Sequence, residues 1–131
     1  MKNIENRVVR LVPMTVIMGT IFFLSHQPGD SLYMPPVLWF DKIAHIAVYA
    51  VLAATVLYAF HPRLRDEKTV WVVLLTMGGC ILYGIGDEFH QSFIPGRFVS
   101  IFDVVADTLG GAAVCAAWFL WKGPHLSQKN S

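Results

Sequence analysis

A chain of 131 residues is one domain by length. It is 55% hydrophobic and only 15% charged, against about 45–50% and about 25% in a soluble domain, so an ordinary soluble fold is excluded. A net charge of +1 leaves no basic excess for nucleic acid, and Cys80 and Cys115 both fall inside apolar runs, where they read as small hydrophobes rather than as a disulfide.

Runs of about 20 apolar residues are long enough to cross a bilayer as helices. Taken in chain order, four such runs are predicted, over about 8–24, 37–60, 70–86 and 98–121. The first follows Arg7 and Arg10; no small-x-small cleavage site follows Phe22-Phe23-Leu24, so it reads as a retained span rather than a signal peptide. Breakers separate the runs: Gln27-Pro28-Gly29 with Pro35-Pro36, then His61-Pro62, then Pro95-Gly96. Trp39, Trp71, Trp118 and Trp121 fall near span ends, where amphipathic indoles anchor. The fold expected is an all-α membrane protein, a four-helix transmembrane bundle over residues 1–131 with a polar pocket on its outer side.

Orientation is read from the basic residues. Lys2, Arg7, Arg10, Arg63, Arg65, Lys68, Lys122 and Lys129 fall on one side of the spans, and only Lys42 and Arg97 on the other. Positive loops stay in the cytoplasm. Both termini are therefore expected in the cytoplasm, with the chain a multi-pass membrane protein.

Ionisable side chains in a bilayer cost about 2.5–3.5 kcal/mol each on insertion scales. Even so, Asp41, His45, Asp87, Glu88, His90, Asp103 and Asp107 all lie in or beside the spans. Asp41, His45 and Tyr49 repeat every four residues and are read as one helical face, as are Tyr83, Asp87 and Gln91. Asp107 lies nine residues past Phe98, or roughly 13 Å into a helix rising 1.5 Å per residue. Three helices thus bring carboxylates to one depth. Gly78, Gly79, Gly84, Gly86, Gly110 and Gly111 are expected to let their backbones approach.

The motifs Asp41-Lys42-x-x-His45-x-x-x-Tyr49, Asp87-Glu88-x-His90-Gln91-x-x-x-Pro95-Gly96-Arg97 and Ser100-x-x-Asp103-x-x-x-Asp107-x-x-Gly110, with the Ser25-His26-Gln27-Pro28 turn, resemble the VanZ-like membrane proteins. The resemblance covers about residues 20–115. It departs at Asp107, where the family more often has Asn. It implies a small bacterial integral membrane protein of the cell envelope, placed in the inner membrane, in a family named for an accessory protein that lowers susceptibility to the glycopeptide teicoplanin.

From the residues themselves, the sharpest reading is a membrane-embedded hydrolase or transferase acting on a lipid-linked or peptidoglycan-related molecule. His45 is the candidate general acid or base, because imidazole titrates near neutral pH. Asp41 or Asp87 would orient it, and Glu88 and Asp103 complete the catalytic candidates. Arg97 is read as a bidentate clamp for phosphate or carboxylate at the mouth, with Lys42, Tyr49, His90, Gln91 and Asp107 as further binding candidates. His45 and His90 with Asp87, Glu88, Asp103 or Asp41 also offer N and O ligands to a divalent metal. Three other readings compete: buried ion pairs holding helices in register, with Ser100 only an N-cap boxed by Asp103; a non-catalytic binding protein; and an ion pathway. The inner half of the spans carries almost no polar residue, which argues against the last.

Overall fold

The computed structural model describes residues 2–31, 39–60 and 69–127, and the side chains of 8–31, 39–60 and 70–121. They form four helices: α1 (Lys2–Ser25), α2 (Phe40–Phe60), α3 (Thr69–Gln91) and α4 (Ile101–Ser127), with one 3-10 turn at Gly29–Ser31 after α1. All four are long and apolar enough to cross a membrane, and no strand occurs among the described residues. The protein is a multi-pass membrane protein. The segments 32–38 and 61–68, with Pro35-Pro36, His61-Pro62, Arg63, Arg65 and Lys68, lie outside the described residues, as does Lys129.

The helix ends follow local chemistry. Pro28 and Gly29 stop the chain after α1, and Gly29 N–H donates to Pro95 O at 3.1 Å, tying the α1 exit to the turn after α3. Gly96 in that turn has φ +75°, a left-handed backbone that glycine adopts without a Cβ clash. The chain then runs non-helically through residues 97–100 before α4 starts at Ile101. The expected fourth span began at Phe98. Its true start puts Asp107 six residues into the helix, about 9 Å rather than 13 Å. The third span also runs further than expected, so Asp87, Glu88, His90 and Gln91 lie on α3 itself.

Helix α4 packs most extensively on α2 and next on α3; α1 lies on α2 and touches α3 less. Gly110 explains the tight α2–α4 crossing. A Cβ there would run into the Ile46 carbonyl oxygen and lie 3.0 Å from Ala50 N, so only glycine lets the two backbones approach so closely. Gly84 and Gly111 are also close-packed, against Asp107 and Cys80. Gly78, Gly79 and Gly86 are not, since a Cβ at each would meet nothing. They sit on helix faces without a neighbour, which the sequence spacing did not separate from the packed ones.

The interior divides by polarity. Ile21, Tyr49, Leu52, Ala53 and Cys80 fill the centre, and Leu57, Val72 and Cys115 fill one end. The opposite end, where α1 and α3 finish and α2 and α4 begin, holds the acids and His45. Large side chains such as Leu82, Phe89 and Leu120 remain exposed on the outside, as lipid contact permits. In lipid the apolar contacts have no hydrophobic driving force behind them, so close packing and polar contacts carry more of the cohesion.

Candidate functional site

His45 stands at the centre of the polar end. Its Nδ1–H donates to Asp107 Oδ1 at 2.8 Å. Asp107 is fully buried. The bond fixes the ring and directs its other nitrogen, Nε2, toward Asp103, whose Oδ1 lies 4.0 Å away. That gap is too long for a hydrogen bond and leaves Nε2 free to accept a proton or a metal.

Lys42, three residues before His45, reaches across to α4. Its ammonium donates to Asp103 Oδ1 and to Asp41 Oδ2, the latter at 2.7 Å. Asp103 is 7% exposed at its side chain and Asp41 49%, so the pair runs from the interior to the rim. Glu88, on α3, is buried with them, and its Oε2 accepts the backbone N–H of Ser100 at 2.8 Å. Ser100 caps α4, its Oγ accepting Phe102 N–H at 3.2 Å. In a capping box the residue at Asp103 would take the Ser100 N–H. Glu88 takes it instead, and Asp103 is released to Lys42. Three buried atoms in this region have no hydrogen-bond partner: Glu88 Oε1, Asp107 Oδ2 and the Tyr49 hydroxyl. Buried polar atoms are nearly always paired, so each such orphan needs a reason.

Beside this cluster, a cavity of about 220 Å³ lies between α1, α2 and α3. Ile21, Leu24, Ala44 and Val48 make an apolar wall, and Ser25, His45, Tyr49, Asp87, Gln91 and Arg97 supply the polar groups. Asp87 Oδ2 accepts from Gln91 Nε2 at 2.9 Å, and the same amide reaches Ser25 Oγ at 3.4 Å. The exposed lining of the pocket is therefore mostly apolar with a few polar groups, not the polar pocket expected. His45 touches both the cavity and the acid cluster, whereas Glu88, Asp103 and Asp107 stand behind it.

Several sequence readings change in detail. Neither Asp41 nor Asp87 orients His45; Asp107 does. Each four-residue step on a helix overshoots a full turn by about 40°, so Asp41, eight residues from Tyr49, has rotated toward the rim. His45 and Tyr49 do share a face, their rings parallel within 12°. Arg97 does not lie on a carboxylate. Its Nε donates to Gln27 O at 3.1 Å and its Nη2 to Leu24 O at 2.6 Å, the latter a carbonyl that also accepts the Gln27 N–H at 3.2 Å in the turn after α1. Nη1 has no protein partner among the described residues. His90 faces away from His45: its Nε2 lies 3.1 Å from His26 Nδ1, with Phe22 edge-on. Tyr83 is drawn off as well, donating to Met18 O at 2.7 Å. Ser25 was absent from the expected site. Its only signal was a polar residue closing an apolar span within the resembling turn.

The metal candidates reduce to three residues. His45, Glu88 and Asp103 each offer one ligand atom, and these lie within 4.8 Å of one another.

A four-helix membrane domain with a histidine and acids gathered at one end is the class that this geometry defines. A family model described as VanZ/LLP1 matches residues 1–122; the chain belongs to that family. A Schizosaccharomyces pombe protein, "Uncharacterized protein C11E3.10", is 33% identical over 70 residues, 53% of this chain and 41% of its own. The chain thus spans about two fifths of that relative's length. No solved structure matches.

Proposed function

We propose that this VanZ/LLP1 protein acts on a lipid-linked, phosphate-bearing molecule of the bacterial cell envelope, as a hydrolase or transferase with His45 as its base. In this reading both termini lie in the cytoplasm, the membrane is the inner membrane, and the polar end opens outward. The observation that carries it is a mostly apolar cavity with a reactive edge: an aliphatic wall on α1 and α2 beside a histidine backed by a buried carboxylate, with Arg97 at the same cavity. An amphiphile meets wall and edge at once, its chain along Ile21, Leu24 and Val48 and its phosphate near Arg97 Nη1. A volume of about 220 Å³ falls below the roughly 300–1,000 Å³ of drug-sized sites. It suits a headgroup and chain segment, not a whole glycopeptide, so a teicoplanin-related phenotype would arise through the envelope lipid and not by drug capture.

The chemistry follows from the histidine. Nε2 takes a proton from a water or an acceptor hydroxyl; that oxygen bonds to phosphorus; the bond from phosphorus to the leaving oxygen breaks; and the leaving oxygen recovers the proton from Nε2. Asp107 holds the ring and stabilises the imidazolium in between. A non-catalytic accessory role is the second reading, favoured by the Asp41–Lys42–Asp103 chain, which binds α2 to α4 whether or not any ligand is turned over.

The test is a substrate panel. Protein in vesicles of phosphatidylethanolamine and phosphatidylglycerol, with a polyprenyl diphosphate added, is followed by phosphorus NMR and mass spectrometry. The enzyme reading expects one lipid to be consumed beyond protein-free vesicles, with Arg97→Gln raising KM more than it lowers kcat. Stabilisation by one of these lipids without any product would replace the enzyme by the accessory reading.

A further inference from the structure

The buried charge at the polar end does not balance. Asp87, Glu88, Asp103 and Asp107 are all at most 8% exposed, and the cations among them are Lys42 and, when protonated, His45. Arg97, the other cation at this end, is spent on the Leu24 and Gln27 carbonyls. Excess negative charge taken out of water is costly unless a counter-charge sits inside with it. Glu88 shows the deficit at one atom: it is 4% exposed, and its Oε1 has no partner.

We propose that His45 Nε2, Glu88 and Asp103 bind a divalent transition-metal ion, zinc or manganese. Three features carry the assignment. The ligand atoms lie within 4.8 Å of one another. Ligands at about 2.0–2.2 Å from a tetrahedral zinc ion stand about 3.3–3.6 Å apart, so closure asks the side chains to move together by up to about 1.5 Å. Next, Asp107 holds His45 through Nδ1 at 2.8 Å. That is the carboxylate–histidine–metal arrangement in which the outer acid fixes the tautomer and leaves Nε2 for the ion. Finally, the set is one nitrogen and two carboxylates. Such a set suits zinc or manganese better than calcium or magnesium, which favour oxygen-only shells.

Lys42 is the resident competitor. It bonds Asp103 Oδ1, but its side chain is 18% exposed and it also holds the half-exposed Asp41. When the ion enters, the ammonium swings outward onto Asp41, along the rim, as long lysine stems do at membrane surfaces. Three protein ligands leave a position open toward the cavity that His45 also lines. The ion does not depend on the lipid reading, and a structural ion would fill the site equally well; but the two compete for one atom, since His45 cannot take a proton at Nε2 while that nitrogen holds a metal.

The experiment is metal uptake by the full chain in detergent. Protein stripped with EDTA is dialysed against equimolar Zn²⁺ or Mn²⁺ and measured by inductively coupled plasma mass spectrometry. The expected result is one ion per chain in the wild type and in Asp30→Asn, an exposed loop control, with affinity lowered at least about 10-fold in Glu88→Gln and about 10–100-fold in Asp107→Asn. Equal uptake by wild type and Glu88→Gln, or none by wild type, overturns the site. Should Glu88→Gln fail to fold, pulsed EPR of Mn²⁺ on the wild type decides. Coupling to a histidine nitrogen supports the assignment, and its absence overturns it.

Discussion

Replacing Asp107 by Asn removes one buried charge and almost nothing else. Asp107 is fully buried, accepts His45 Nδ1–H at 2.8 Å, and leaves Oδ2 unpartnered. The asparagine oxygen still accepts from His45, now in a neutral bond worth about 0.5–1.5 kcal/mol in place of about 1.5–3 kcal/mol. That costs about 1 kcal/mol. The amide nitrogen replaces one orphan with another, which roughly cancels. On the other side, the desolvation of a buried carboxylate, several kcal/mol, disappears. Asp107→Asn is therefore expected to melt at or above the wild type, while metal uptake falls. Asp107→Ala strands the His45 N–H instead, at about 1–3 kcal/mol, and opens a void. Thermal melts followed by circular dichroism in detergent should separate the two variants, with Ala well below Asn. If Asn melts as low as Ala, the charge itself holds the helices together, and the reasoning fails.

Gly110→Ala drives a Cβ into the Ile46 carbonyl at the α2–α4 crossing. Overpacking of this kind costs about 1–3 kcal/mol, so the variant should melt below wild type; an unchanged melt would mean the crossing is looser than described. Arg97→Gln removes the guanidinium bonds to the Leu24 and Gln27 carbonyls, leaving Leu24 O with the Gln27 N–H alone, and hydrogen exchange at the α1 exit should rise while the α2–α4 core stays protected. Protection lost throughout would contradict that local role. Lys42→Met removes the cation that competes for Asp103; Zn²⁺ affinity by calorimetry should increase, and a decrease would mean that Lys42 supports the ion rather than displacing it.

Much of this fold was legible in the chain because lipid imposes a simple rule: unbroken apolar runs become helices, and breakers end them. The four runs and the gathering of acids at one end followed from that. Four details were not legible. Ser100 with Asp103 has the local spacing of a capping box, but Glu88, twelve residues earlier on another helix, takes the Ser100 N–H. A long-range competitor leaves no mark in a four-residue pattern. The face shared by Asp41, His45 and Tyr49 drifts because 3.6 residues per turn do not divide four, so Lys42 and not Asp41 enters the interior. The six glycines look alike in sequence, but only Gly84, Gly110 and Gly111 meet a neighbour, which depends on helix rotation. Asp107 was read as a binding residue, and its bond to His45 needed the α2–α4 crossing in three dimensions.

The central claim is that the polar end is a working site with His45 at its reactive centre. Its most direct measurement is lipid headgroup turnover by His45→Gln beside wild type, in vesicles, with both proteins shown by circular dichroism to keep their helices. The account predicts that turnover falls by about 10²–10⁴-fold, the usual share of a general base. Turnover unchanged in the folded variant would contradict it.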